Sequence, residues 1–83
     1  MSKKGVFYLQ GGMSEELFNV LIELSSINSE RVINALRAHL VYGHKRKVAC
    51  ESYNVNPGYL SVCIGRLSRI HYLVDTLTHL ITD

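Results

Sequence analysis

An all-α fold of four to five short helices, containing a helix-turn-helix, is what this 83-residue sequence predicts, and three observations carry the prediction. Apolar residues recur at three- and four-residue spacing from Leu17 onward, the period of one helix face. Helix start and stop signals punctuate that pattern: Ser14, the run Ser25-Ser26-Ile27-Asn28-Ser29, Gly43, and Asn56-Pro57. Finally, Lys45–Leu67 reads as two short helices broken by a tight polar turn and bordered by basic residues.

Residues 1–12 end in Gln10-Gly11-Gly12 and show little periodicity, so they are expected to form a flexible arm. Within it, Gly5-Val6-Phe7-Tyr8-Leu9 has the composition of a short added strand. Residues 13–83 are expected to form the remaining unit, a helix-turn-helix domain whose patterning suits DNA binding and oligomerisation for the reasons that follow. Ser14 caps a first helix whose opening Glu15 and Glu16 complement the helix dipole, and the helix is expected to run to about Leu24. Leu17, Val20, Leu21 and Leu24 make the stripe expected to face the core. Phe18 and Ile22 fall on another side, exposed in a monomer and available to a second chain.

A second helix carries Val32, Ile33, Leu36, Leu40 and Val41 inward, places Arg37 off that face, and stops at Gly43. The third begins near His44-Lys45-Arg46-Lys47, with Val48 and Ala49 as its apolar positions and Val55 as the lone apolar residue of the following turn. Asn56 can cap the next free N–H groups, and proline at the first helical position loses no hydrogen bond, so the fourth helix is expected to start at Pro57. Its inward stripe is Leu60, Ile64, Leu67, Ile70/His71 and Val74. Apolar positions then continue through Leu73, Leu77, Leu80 and Ile81, with Asp75 and Thr76 as the place where the helix would fray or divide. Leu73, Leu77 and Leu80 join Phe18 and Ile22 as expected oligomerisation residues.

A chain of this length buries only about 60–65% of its extended surface, which leaves a thin core that a partner chain would reinforce. No apolar run approaches the roughly 18 residues of a membrane span, and no signal-peptide core follows Lys3-Lys4, so a cytoplasmic protein is expected. Cys50 and Cys63 lack framework spacing and suit small core positions in a reducing compartment. His39, His44, His71 and His79 form no chelating pair with each other or with the cysteines, and no metal, cofactor or small-molecule ligand is expected. Without paired carboxylates, a nucleophile elbow or a glycine-rich phosphate loop, the chain does not read as an enzyme.

The net charge of +2 conceals an uneven distribution. Residues 31–69 hold seven bases against the single acid Glu51, a local +6, while the segments on either side are each −2. Such a field points to nucleic acid, although charges also simply solvate helix surfaces. Lys45, Arg46 and Lys47 read as a phosphate clamp, because bases at a helix N-terminus oppose the dipole and cost stability. Arg46 and Cys50 lie one turn apart, which sets the thiol either against the backbone of the nucleic acid or in the core as a space-filler. On the fourth helix Tyr59, Ser61, Arg66 and Arg69 are the candidate groove contacts; Arg66 can fork onto a guanine edge or a phosphate. Gly65 weakens its helix by about 1 kcal/mol relative to alanine, so either a packing notch within the chain or the close approach of a partner or DNA requires it. A second reading remains, a protein-interaction module that sequesters another regulator through exposed apolar helix faces.

The strings Gly12-Met13-Ser14-Glu15, Leu24-Ser25-Ser26-Ile27, Arg31-Val32-Ile33, Gly43-His44-x-Arg46-Lys47, Cys50-Glu51-x-Tyr53, Gly58-Tyr59-x-Ser61 and Gly65-Arg66-Leu67-x-Arg69 together closely resemble the PapB/FocB family of adhesin-biosynthesis transcription regulators. The resemblance spans about residues 11–72; Pro57, the arm and the C-terminal end depart from it. It implies an all-helical helix-turn-helix protein that binds AT-rich double-stranded DNA as a homo-oligomer at fimbrial control regions of enterobacteria. By the same resemblance the family's basic motif falls on Arg46 and Lys47 with Cys50 beside it, and its second-helix motif on Tyr59, Ser61, Gly65, Arg66 and Arg69.

Overall fold

The computed structural model describes residues 10–82, with the side chain of Thr82 excepted, and these form four helices. They are α1 (Glu15–Ser25), α2 (Glu30–Leu40), α3 (Arg46–Tyr53) and α4 (Pro57–Thr82). The proposed strand at Gly5–Leu9 lies outside the described residues.

Local chemistry sets each boundary. Ser14 Oγ accepts the Leu17 N–H at 3.1 Å, as expected, and of the candidates in the run 25–29 it is Ser29 whose Oγ accepts the Val32 N–H, at 3.4 Å, and opens α2. Helix α1 ends where Ser26 turns left-handed at φ 64°. The buried Ser25 hydroxyl donates to the Ile22 carbonyl and accepts the Ile27 N–H, closing the turn without a glycine. The last carbonyls of α2 are taken up by the segment that precedes α1: the Gly11 N–H donates to His39 O and the Met13 N–H to Leu40 O, each at 3.0 Å. Gln10 Nε2 adds a hydrogen bond to Gly43 O. Gln10, Gly11 and Met13 thus supply donors to the end of α2 and the turn after it, which lack them otherwise. Gly11 (φ 71°) and Gly43 (φ 85°) cross there so closely that a Cβ on Gly11 would lie 2.8 Å from Gly43 Cα.

The core is built from Phe18 and Leu21 of α1, Leu36 and Leu40 of α2, and Leu60, Cys63 and Leu67 of α4, all essentially inaccessible. Helix α1 rests on α4, while α2 holds α3 and also touches α4. Two expectations about α1 are corrected. Phe18 is fully buried and Ile22 packs half-buried beside it, whereas Val20 and Leu24 are more than half exposed. Helix α1 carries two overlapping apolar series offset by one residue, about 100° of rotation. The series that wins contains the aromatic ring, and Arg37 seals it: its guanidinium lies 5.0 Å from the Phe18 centroid while Nε donates to Glu15 Oε2 at 2.9 Å. Arg37 is thus a half-buried link between α1 and α2. Val48 is likewise corrected to an exposed position; α3 is short enough that Ala49 and Cys50 suffice to seat it.

Helix α4 does not divide at Asp75 and Thr76 but runs unbroken for 26 residues, about 39 Å. Thr78 Oγ1 bonds Val74 O and His79 Nδ1 bonds Asp75 O, so the polar side chains back-bond within the helix and do not break it. Every residue from Tyr72 to Ile81 is exposed, so this end of the helix stands clear of the core.

Candidate nucleic-acid interface

Helices α3 and α4 meet through the three-residue turn Asn54-Val55-Asn56. Asn54 adopts the left-handed conformation at φ 56°, which asparagine tolerates, and its N–H and that of Val55 both donate to Cys50 O. Val55 is buried, anchoring the turn to the core as its apolar character predicts. Asn56 Oδ1 accepts the Tyr59 N–H at 3.0 Å, the expected cap ahead of Pro57. Ala49, fully buried, allows the close helix crossing that a helix-turn-helix needs.

Helix α3 opens on cations. Lys45 is its N-cap residue and makes no side-chain capping bond, and Lys45, Arg46 and Lys47 are all exposed. With no acid in its first turn, this end of the helix concentrates positive charge where the dipole already supplies it. Arg46 does not extend into solvent alone: its Nη1 donates to Ser61 Oγ on α4 at 2.9 Å, joining the two helices of the motif. Tyr59, Arg66 and Arg69 stand exposed along α4. Gly58, Val62, Gly65 and Arg69 recur at helical spacing on the side opposite the buried Leu60 and Leu67, so the outward face of α4 centres on Gly65. Among the described residues beyond its own stretch of helix, a Cβ on Gly65 would meet nothing within 4 Å, so the notch accommodates none of them.

Cys50 is the one candidate contact that the fold withdraws. Its side chain is buried in the core, and burial pushes the thiol pKa up, partly opposed by the nearby Arg46 charge. One-turn spacing from Arg46 sets the two residues near each other but does not fix the rotation of α3, which packs against α2 and α4 with Cys50 toward the core. The sequence named Arg46 and Ser61 separately; nothing in their separation of fifteen residues signals the hydrogen bond between them. His39, also buried, is committed structurally: its Nδ1–H donates to His44 O at 2.8 Å, holding the α2–α3 connection. Among the described residues no three His, Cys, Asp or Glu side chains gather as a metal site. Nor is any helix among them long and apolar enough to cross a membrane.

Comparison with known proteins gives a consistent set of relatives. Residues 1–81 match the model of the PapB family, described as adhesin biosynthesis transcription regulatory protein. The Escherichia coli major pilus subunit operon regulatory protein PapB is 49% identical over 75 residues, 90% of this chain and 72% of its own length. The Escherichia coli F1845 adhesin operon regulatory protein is 42% identical over 69 residues, 83% of this chain and 81% of its own length. The crystal structure of Escherichia coli FocB superposes with a TM-score of 0.80 at 51% identity, covering 86% of this chain and 81% of that one.

Proposed function

Because the chain belongs to the PapB family of adhesin biosynthesis transcription regulatory proteins, we propose that it regulates a fimbrial or adhesin operon by binding AT-rich double-stranded DNA as a homo-oligomer in the cytoplasm. The observation that carries this reading is the start of α3, where three exposed cations surround an uncapped helix N-terminus. That arrangement opposes the helix dipole, and no acid in the first turn of α3 offsets it. A phosphate oxygen would reverse the balance by accepting the free N–H groups and neutralising the charge. Lys45, Arg46 and Lys47 therefore act as the phosphate clamp. Tyr59, Arg66 and Arg69 face the groove or its edges, and the bare backbone at Gly65 lets α4 approach the duplex closely. Asn and Gln, the side chains suited to bidentate adenine contacts, are absent from α4, which favours recognition of AT-rich DNA by groove shape.

Oligomer formation falls to the free end of α4. Leu73, Leu77, Leu80 and Ile81 form an exposed apolar stripe, with exposures of 49%, 55%, 73% and 71%. A second copy covering that stripe would give the thin core the partner surface it lacks. Fluorescence anisotropy against AT-rich duplex across a salt series tests the DNA reading. The logarithm of affinity should fall linearly with the logarithm of salt concentration, and Arg46→Ala and Lys47→Ala should each flatten the slope by about 0.9. Slopes unchanged in both variants would refute the clamp.

A further inference from the structure

We infer that Ser61 is a positioning residue that acts through Arg46, holding its guanidinium in the orientation that meets a backbone phosphate. This inference rests on the DNA-binding reading above. The two side chains come from the first residue of α3 and the second turn of α4, and their hydrogen bond of 2.9 Å spans the motif. Both are exposed, so the bond is not forced by burial. Serine is a poorer helix former than alanine, and a helical serine hydroxyl commonly bonds its own preceding turn. Here the hydroxyl oxygen instead accepts from a cation on the neighbouring helix. One of the five guanidinium N–H donors is used, leaving the others to meet a phosphate in a fixed plane. An unrestrained arginine at that helix end would have to give up its rotamer freedom on binding, whereas Ser61 removes much of that freedom beforehand. The hydrogen bond also fixes α3 against α4, so the clamp and the outward face of α4 keep one relative placement.

The test is a double-substitution cycle of duplex affinity with a spectroscopic control. Ser61→Ala should weaken binding of AT-rich duplex by about three- to tenfold. The salt slope should hold, because no charge is lost. In the Arg46→Ala background the same substitution should change affinity less than twofold, and Ser61→Thr should retain wild-type binding. Equal losses in the two backgrounds would overturn the inference, making Ser61 an independent contact while leaving the DNA-binding reading intact. In the free protein, NMR of the Arg46 guanidinium should show hindered rotation that Ser61→Ala releases. Identical guanidinium spectra would overturn the pairing without reference to DNA. Absence of any salt-dependent duplex binding by the wild type would overturn both.

Discussion

Gly65→Ala should move stability and DNA affinity in opposite directions. Gly65 lies well inside the 26-residue α4, is exposed, and a Cβ there would meet no other described residue within 4 Å beyond its own stretch of helix, so alanine meets no steric cost from the described residues. The gain is the full helix-propensity difference, about 1 kcal/mol, since alanine has less backbone freedom to lose on folding. For a domain of this length that raises Tm by about 4–8 °C. The added methyl stands at the centre of the outward face, between the levels of Val62 and Arg69, where it would hold the duplex away from α4. Affinity for AT-rich duplex should fall at least about fivefold, the equivalent of about 1 kcal/mol of steric conflict. Thermal denaturation by circular dichroism and anisotropy titration on one preparation read both quantities. A Tm that falls would show that the space around Gly65 is not open. A higher Tm with unchanged duplex affinity would refute close approach of DNA at this position and leave a second protein chain as the reason for the glycine.

Phe18→Ala should cost about 3–5 kcal/mol from cavity formation, against about 4–12 kcal/mol for a whole domain of this size, and should show as a large loss in urea midpoint. Wild-type stability with only an altered oligomer would reinstate Phe18 as a surface contact. The double variant Leu77→Gln/Leu80→Gln removes apolar surface that is already exposed, so it should alter the stability of a single chain by less than about 0.5 kcal/mol while light scattering reports smaller species. An unchanged mass would move the interface elsewhere. Burial raises the Cys50 pKa above the ordinary 9.0, so its thiol should be alkylated far more slowly at neutral pH than an exposed cysteine. The raised value also fixes the sign of its linkage. The contribution to stability is fully present below the ordinary thiol range and is lost as pH rises above about 9 toward the raised value, because the unfolded chain ionises first. Cys50→Ala should abolish that part of the alkaline decline, which a urea series between pH 8 and 10 would resolve.

The helix starts were legible because each is set by residues close in sequence. Ser14, Ser29 and Asn56 accept N–H groups three positions away and Pro57 opens α4 where no N–H is needed, whereas α2 ends at Leu40 with Val41 as its C-cap, three residues short of the expected stop at Gly43. The all-α class and the charge concentration on the motif were legible for the same reason, since period and composition are properties of the chain itself. The family was legible because its strings combine those local signals at fixed separations. The exposed cations at the start of α3 could be named from charge alone, but not their arrangement.

Rotation of a helix about its own axis is what the sequence left open. In α1 two apolar series offset by one residue satisfied the same period, and only packing against α4 and α2, with Arg37 over the Phe18 ring, made one of them the core. In α3 the same ambiguity left Cys50 either beside the cations or in the core, and the packed fold buries it. The union of residues 10–13 with the end of α2, the hydrogen bond between Arg46 and Ser61, and the open space around Gly65 each depend on segments far apart in the chain. Sequence by itself determined which segments are helical, where they begin, and where the positive field lies, because those follow from short-range hydrogen bonding and composition. Tertiary structure alone decided which side of each helix is buried and which cations are held in place, because those depend on what a neighbouring helix covers.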